Sequence, residues 1–264
     1  MSEIESWKRL AALTPARIAL GRAGSGLPTS ETLRFALAHA RARDAVHAAL
    51  DTDMLAREIG RLGLEVLRVQ SRAPTRDSYL LRPDLGRRLL PADREAVAAG
   101  ATDPVDLSIT IADGLSARAV QAHALPVLRS LVDHVRSAGW RLGPIVLATQ
   151  GRVALADEIG ELQRARLALI LLGERPGLST PDSLGLYLTY APRPGRQDGE
   201  RNCISNVHEA GLSAAEAAAR AAWLIREAFA RSLTGVALKD ESGARSAREI
   251  RPGSGRGDGE QPPG

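Results

Sequence analysis

The sequence predicts an α/β protein: a mainly parallel, Rossmann-like sheet with helices on both faces, preceded by an N-terminal helical segment. Three observations carry this expectation. From residue 64 onward, short apolar runs alternate with helical stretches, and strand–helix–strand repetition implies parallel pairing with both faces covered. Within residues 151–206 the apolar runs end abruptly in loops dense with Gly, Pro, Arg, Asp and Asn, the place where an α/β protein keeps its ligand-binding groups. Residues 1–60, in contrast, carry helical spacing and many small side chains.

The elements follow in order. Residues 29–50 place Leu33, Leu37, Ala40, Val46 and Leu50 close to helical spacing. DTDMLAREIGRLG reads as a shorter helix, capped by Asp51 or Thr52 and ended by Gly63. LEVLRVQ is a strand, followed by an Arg-rich loop, SRAPTRDSYLLRPDLGRR. DLSITIA alternates and is β-branched, as a strand should be. The helix after it contains Pro126, which should kink or divide it. PIVLAT, RVALADEIGELQRA, RLALILLG and LGLYLTYA then read as strand, helix, strand and strand, and the long loop PRPGRQDGERN leads to CISNV. A last helix over 213–233 opens with the capping-box pair Ser213 and Glu216. Three segments are expected: 1–60 as an N-terminal helical extension, 61–240 as the α/β domain, and 241–264 as a disordered polar tail without apolar periodicity.

Composition narrows the function. One cysteine, Cys203, rules out an internal disulfide and suits a reducing cytosol. The charged first twenty residues do not read as a secretory signal, and no run approaches the roughly 18 apolar residues of a membrane helix. The pI of 9.8 invites a nucleic-acid reading, yet the net charge is only +4. Only Lys8 and Lys239 are lysines, and the arginines are interleaved with acids except over 61–100, where eight arginines face five acids. Aromatic residues make up 3% of the chain, too few for base-stacking platforms. No nucleic-acid and no membrane partner is expected.

The residues themselves offer few chemical constellations. GRAGSG at 21–26 follows no strand, and LLGERPGLST lacks the GK[ST] ending of a Walker loop. His39 and His47 share a helix face with Arg43 between them, which opposes a cation site. Cys203 and His208 are close in sequence but lack an oxyanion-hole signature; a small, partly buried thiol is the simpler reading. Asp113 stands at a strand end, where helix capping is its simplest role. Glu174 directly follows LALILLG. It serves either as a ligand group or in an ion pair with Arg175. No catalytic residue and no metal ligand set emerges.

The wording of GRVALADEIG, LLGERPGLSTPDSLGLYLTY and RNCISN, in that order, resembles the small (light) subunit of ethanolamine ammonia-lyase. Weaker matches are LTPARIALGRAG, LAHARARDAV, RDSYLLRPDLGRRL and IADGLSA upstream and GVALKD downstream, so the resemblance covers residues 13–240. It implies an adenosylcobalamin-dependent conversion of ethanolamine to acetaldehyde and ammonia by a radical mechanism. It also implies a hetero-oligomer in which the large subunit binds ethanolamine and carries catalysis, while this chain contributes cobalamin contacts and assembly. Three family cobalamin-contact positions fall on Val153, Glu174 and Cys203, which makes 61–240 the cobalamin-contacting domain. The pattern D-x-H-x-x-G is missing, since Asp133–His134 and Asp44…His47 have the wrong spacing, in keeping with the family's base-on binding. The resemblance implies a cytoplasmic protein, with packaging in a bacterial microcompartment left open. Two alternatives stand beside it: a free-standing nucleotide-binding α/β protein or oxidoreductase, and a basic interaction module.

Overall fold

The structure is a computed structural model that describes residues 3–243 except 15 and 102. The expected polar tail from 244 onward lies outside the described residues. Eight α-helices are described: α1 (Glu3–Ala11), α2 (Thr29–His47), α3 (Thr52–Gly60), α4 (Arg76–Leu81), α5 (Pro91–Ala99), α6 (Ala117–Ser137), α7 (Leu155–Leu162) and α8 (Ala214–Arg231). Six strands form one sheet: β1 (Val66–Gln70), β2 (Val105–Ala112), β3 (Ile145–Thr149), β4 (Ala165–Gly173), β5 (Leu184–Tyr190) and β6 (Arg201–Val207), in the order β1-β3-β2-β4-β5-β6.

The sheet is mixed, which corrects the Rossmann-like expectation. Strands β1, β3, β2 and β4 pair parallel, but β4–β5 and β5–β6 pair antiparallel. Connection length explains the reversal. A parallel return needs a crossover of about a dozen residues or more, usually a helix. Only residues 174–183 separate β4 from β5, and only 191–200 separate β5 from β6, and neither stretch contains an α-helix.

Helices cover both faces. On one, Leu55 and Ile59 of α3 and the apolar stripes of α6 and α8 pack on Leu107, Ile109, Ile111, Ile145, Leu147 and the leucines of β4 and β5. On the other, Val97 of α5 and Leu155, Ala156 and Ile159 of α7 pack on Val69, Val146, Ala148, Ala168 and Ile170. Burying a side chain such as Ile59 or Leu155 completely contributes about 1.5–3 kcal/mol each relative to exposure.

Local signals act as the residue types demand. Asp51 caps α3, accepting from Met54 N at 2.8 Å, and Gly63 takes φ 72° beyond its end. The capping box at Ser213 and Glu216 is formed. Pro126 does not divide α6. It lies on the solvent side with Ala122, so the carbonyl it leaves unbonded faces water. The Arg-rich segment is not wholly loop: it contains α4, capped by Thr75, and a 3-10 turn over Leu85–Arg87. Helix α5, with Pro91 in its first turn, had no counterpart in the sequence reading. Among the described residues no helix is long and apolar enough to cross a membrane.

Candidate functional site

The connections after β2 and β3, neighbours in the sheet, leave for opposite faces: β2 leads to α6 on one, β3 to α7 on the other. This is a topological switch point, where open α/β sheets bind ligands beyond the carboxyl ends of their strands. The loop after β3 is tightly built. Gln150 adopts φ 56°, a left-handed conformation that costs about 1–3 kcal/mol in a non-glycine residue. Asp113 accepts hydrogen bonds from the backbone of Gln150 and Gly151, the latter at 3.1 Å. Burial pushes the Asp113 carboxyl up, while these donors and Arg76, 3.6 Å away, pull it down. Asp113 is therefore not the cap of α6. Ser116 takes that role, accepting from Ala119 N at 3.2 Å.

Tyr79 of α4 holds the same loop from beneath. The guanidiniums of Arg76 and Arg152 both stand over its ring, at 4.7 and 4.4 Å from the centroid. Its hydroxyl donates to Gly151 O at 3.2 Å. Burial raises that phenol to about 12, so it stays a donor. Arg152 donates its backbone N–H to Gly86 O and its Nη2 to Tyr79 O, each at 2.8 Å. Val153 is thus presented by a loop fixed at four points.

Val153 and Glu174 line one cavity of about 470 Å³, together with Tyr79, Leu115, Arg152, Leu172, Gly173, Arg175 and Tyr187. The structure brings these two predicted site residues together. Glu174 does not pair with Arg175 among the described ion pairs. Its Oε2 accepts from Ser183 Oγ at 2.6 Å, and its backbone N–H donates to Ser183 O at 2.9 Å. Oε1 accepts from none of the described residues and remains available. A Cβ on Gly185 would sit 2.7 Å from that Oε1, so the missing side chain makes room for the carboxylate over β5.

Cys203 does not line the cavity, but it pairs in register with Tyr187, one strand over. The Tyr187 hydroxyl acts on the Cys203 thiol and pulls its pKa down, against burial. Tyr187 therefore joins the three predicted residues into one surface, and sequence reasoning had missed it. A signal was present: in LGLYLTY the leucines 184, 186 and 188 point into the core, so Gly185, Tyr187 and Thr189 share the opposite face. Cys203 is exposed, yet desolvation along the strand, followed by the Glu174 carboxylate, pushes its thiol up, against the Tyr187 hydrogen bond. Alkylation of this single cysteine in the isolated chain should accordingly show an apparent pKa above the usual 8.5 or so. A pH series of iodoacetamide labelling checks this; a midpoint below 8 or so would remove the electrostatic account.

Among the described residues no three His, Cys, Asp or Glu side chains are grouped to hold a metal. Arg152, Arg175 and Tyr187 supply donors, Glu174 an acceptor, and Val153, Leu115 and Leu172 an apolar wall. Such a surface suits a ligand with a broad apolar body and polar fringes, and it contains no nucleophile–base pair.

Comparison with known proteins agrees with the residues quoted above. The family description "Ethanolamine ammonia-lyase light chain (EutC)" matches residues 4–239. An ethanolamine ammonia-lyase small subunit from Azotobacter vinelandii is 56% identical over 257 residues, 95% of this chain and 93% of its own length. Those from Bradyrhizobium diazoefficiens and Rhodopseudomonas palustris are each 54% identical, over 242 and 250 residues, with 91% and 94% of this chain and 93% and 96% of theirs covered. The chain belongs to the ethanolamine ammonia-lyase light-chain family, a family of carbon–nitrogen lyase subunits.

Proposed function

We propose that this chain is the small subunit of an adenosylcobalamin-dependent ethanolamine ammonia-lyase, which contacts the cofactor through Val153, Glu174 and Cys203 and assembles with a large subunit that binds ethanolamine and carries catalysis. The observation that supports the site assignment most is the convergence of the three positions around Tyr187 at the switch-point edge. The residues present fit a corrin. The wall of Leu115, Val153 and Leu172 offers packing for an apolar macrocycle, and Glu174 Oε1 is a free acceptor for amide or hydroxyl groups at its rim. Adenosylcobalamin, when bound, supplies the radical chemistry. The roles of this chain's own residues are to orient and enclose. Ser183 fixes the Glu174 carboxylate, Asp113 and Tyr79 fix the loop of Val153, and the exposed Cys203 permits close approach. A cytoplasmic address goes with this reading, and packaging in a bacterial microcompartment is compatible with it.

The test is reconstitution. Acetaldehyde formation is measured with this chain alone, the large subunit alone and both, at saturating adenosylcobalamin; turnover is expected only with both, and robust turnover by this chain alone would refute the division of labour. Glu174→Gln in the complex should lower adenosylcobalamin affinity about tenfold to a hundredfold, as loss of a charge-assisted hydrogen bond of about 1.5–3 kcal/mol requires. Gly185→Ala should weaken binding similarly, because its new methyl meets the movable end of Glu174. Both variants should melt within a few degrees of wild type. A lowered melting temperature with affinity intact would make Glu174 a scaffold residue.

A further inference from the structure

We propose that a second, arginine-lined cavity beside Val153 is a phosphate subsite, and that it takes the anionic phosphodiester of the cofactor's nucleotide tail, with Arg87 and Arg152 as donors. This rests on the reading that the chain contacts adenosylcobalamin. The cavity encloses about 870 Å³ and adjoins the smaller one, with Arg152 and Val153 lining both. That volume is within the usual range for an organic ligand.

The charges decide what it holds. Five arginines line it against two aspartates, Asp84 and Asp198. Most are committed elsewhere. Arg201 is bound to Asp157 on both oxygens, Arg196 pairs with Glu200, and Asp84 is held by Arg82 at 2.8 Å. Arg88 stands 3.9 Å from Glu158, which Arg94 already engages. Arg87 is exposed and has no acidic partner among the described residues. Arg152 has none either: Nη2 serves the Tyr79 carbonyl, Nε is buried without a hydrogen bond, and Nη1 is left for a ligand. The two are held side by side, because Arg152 N–H donates to Gly86 O and the Arg152 stem would lie 3.1 Å from a Cβ on Gly86. Two guanidiniums without acidic partners at one concave wall match a phosphate, which can accept from the whole Arg87 fork and from Arg152 Nη1. The Arg excess over 61–100 thereby acquires a function in addition to its contacts within the fold.

The experiment uses the assembled complex with the large subunit and reads binding rather than turnover. Adenosylcobalamin and adenosylcobinamide, which lacks the phosphodiester and the base, are each titrated by absorbance into wild type, Arg87→Ala and Arg87→Glu. Arg87 is a surface residue, so both variants should fold and assemble. Adenosylcobalamin affinity should fall severalfold for Arg87→Ala and on the order of tenfold or more for Arg87→Glu, with adenosylcobinamide affinity unchanged within about twofold. Inorganic phosphate should compete with adenosylcobalamin and not with adenosylcobinamide. Equal loss for both cofactors, or loss for neither, overturns the proposal. Phosphate that binds without competing makes the cavity a free-phosphate site and overturns the phosphodiester assignment. Failure of Arg87→Glu to assemble before any cofactor is added assigns the arginines to an acidic partner surface instead. Should wild-type complex retain neither cofactor, the broader functional reading falls and this one with it, whereas normal wild-type binding with indifferent variants sinks this one alone.

Discussion

Gly173→Ala is expected to destabilise the chain by more than about 3 kcal/mol, with soluble yield falling sharply. A Cβ at this position would lie 2.1 Å from the Ser116 carbonyl oxygen and 2.5 Å from that of Asp113. Both obstacles are backbone, and the loop that carries them is itself anchored, with Leu115 N donating to Gly173 O at 2.8 Å. It would have to retreat by about an ångström from the end of β4, inside a region packed at interior density. Overpacking a tight site costs about 1–3 kcal/mol when side chains can yield and more when backbone must move. For a chain of this size that is a drop in melting temperature on the order of 10 °C. The consequence reaches the site, because Leu115 and Glu174 flank the strained contact on either side. Gly185→Ala is the control: its nearest obstacle is the flexible end of Glu174, so stability should hold while ligand affinity drops. Thermal melts of both variants separate the two roles, and a Gly173→Ala melt within about 3 °C of wild type would refute the steric argument.

The contrast between these glycines shows where the sequence speaks and where it is silent. That LALILLG ends at a glycine before Glu174 is legible, and so is a strand end that carries a ligand group. The 2.1 Å approach of Ser116 to Gly173 is not, because it depends on where β2 and β4 lie in the sheet. The same division runs through the fold. Alternation and capping residues revealed β2, α3 and α8, since they depend on local periodicity and local hydrogen bonds. The antiparallel placement of β5 and β6 was readable in principle from the short helix-free connections, but strand–helix repetition elsewhere outweighed it. Helix α5 is mostly small and charged and buries Val97 alone completely, so it left no apolar stripe to read.

The site was legible in part for a related reason. Val153, Glu174 and Cys203 came from resemblance, and no spacing rule would have joined three residues from three loops and strands. Their meeting depends on Tyr187 and on the rigid loop behind Val153, which in turn depends on Asp113 and Tyr79 from elements far away in sequence. A strand-end aspartate reads as a helix cap because capping is the local option. Ser116 captured that role, leaving Asp113 to reach across to β3.

The largest electrostatic effect is expected at Arg201. Its guanidinium donates to Asp157 Oδ1 at 2.6 Å and Oδ2 at 2.7 Å, to Thr189 Oγ1 at 2.8 Å and to Arg196 O at 2.8 Å. Asp157 is fully buried on α7, and Arg201, the first residue of β6, is 8% exposed. The pair ties the helix that follows the Val153 loop to the far edge of the sheet. Arg201→Ala should cost about 3–5 kcal/mol, because it leaves a buried carboxylate without its counter-ion. Burial already pushes the Asp157 carboxyl up, and the Arg201 bonds pull it back. Without Arg201 it rises further. An acid whose folded-state pKa is raised binds its proton more tightly when folded, so its contribution to stability is greatest at low pH and is lost as pH rises through that pKa. The deficit of Arg201→Ala relative to wild type should therefore be smaller at pH 5 than at pH 8. Asp157→Leu/Arg201→Met should recover much of the loss at both values, since apolar residues of similar volume replace a buried pair at little cost. Urea denaturation of wild type, Asp157→Leu, Arg201→Met and the double variant gives the coupling free energy directly. Additive losses, or a deficit that widens as the pH falls, would show that Asp157 is not held ionised by Arg201.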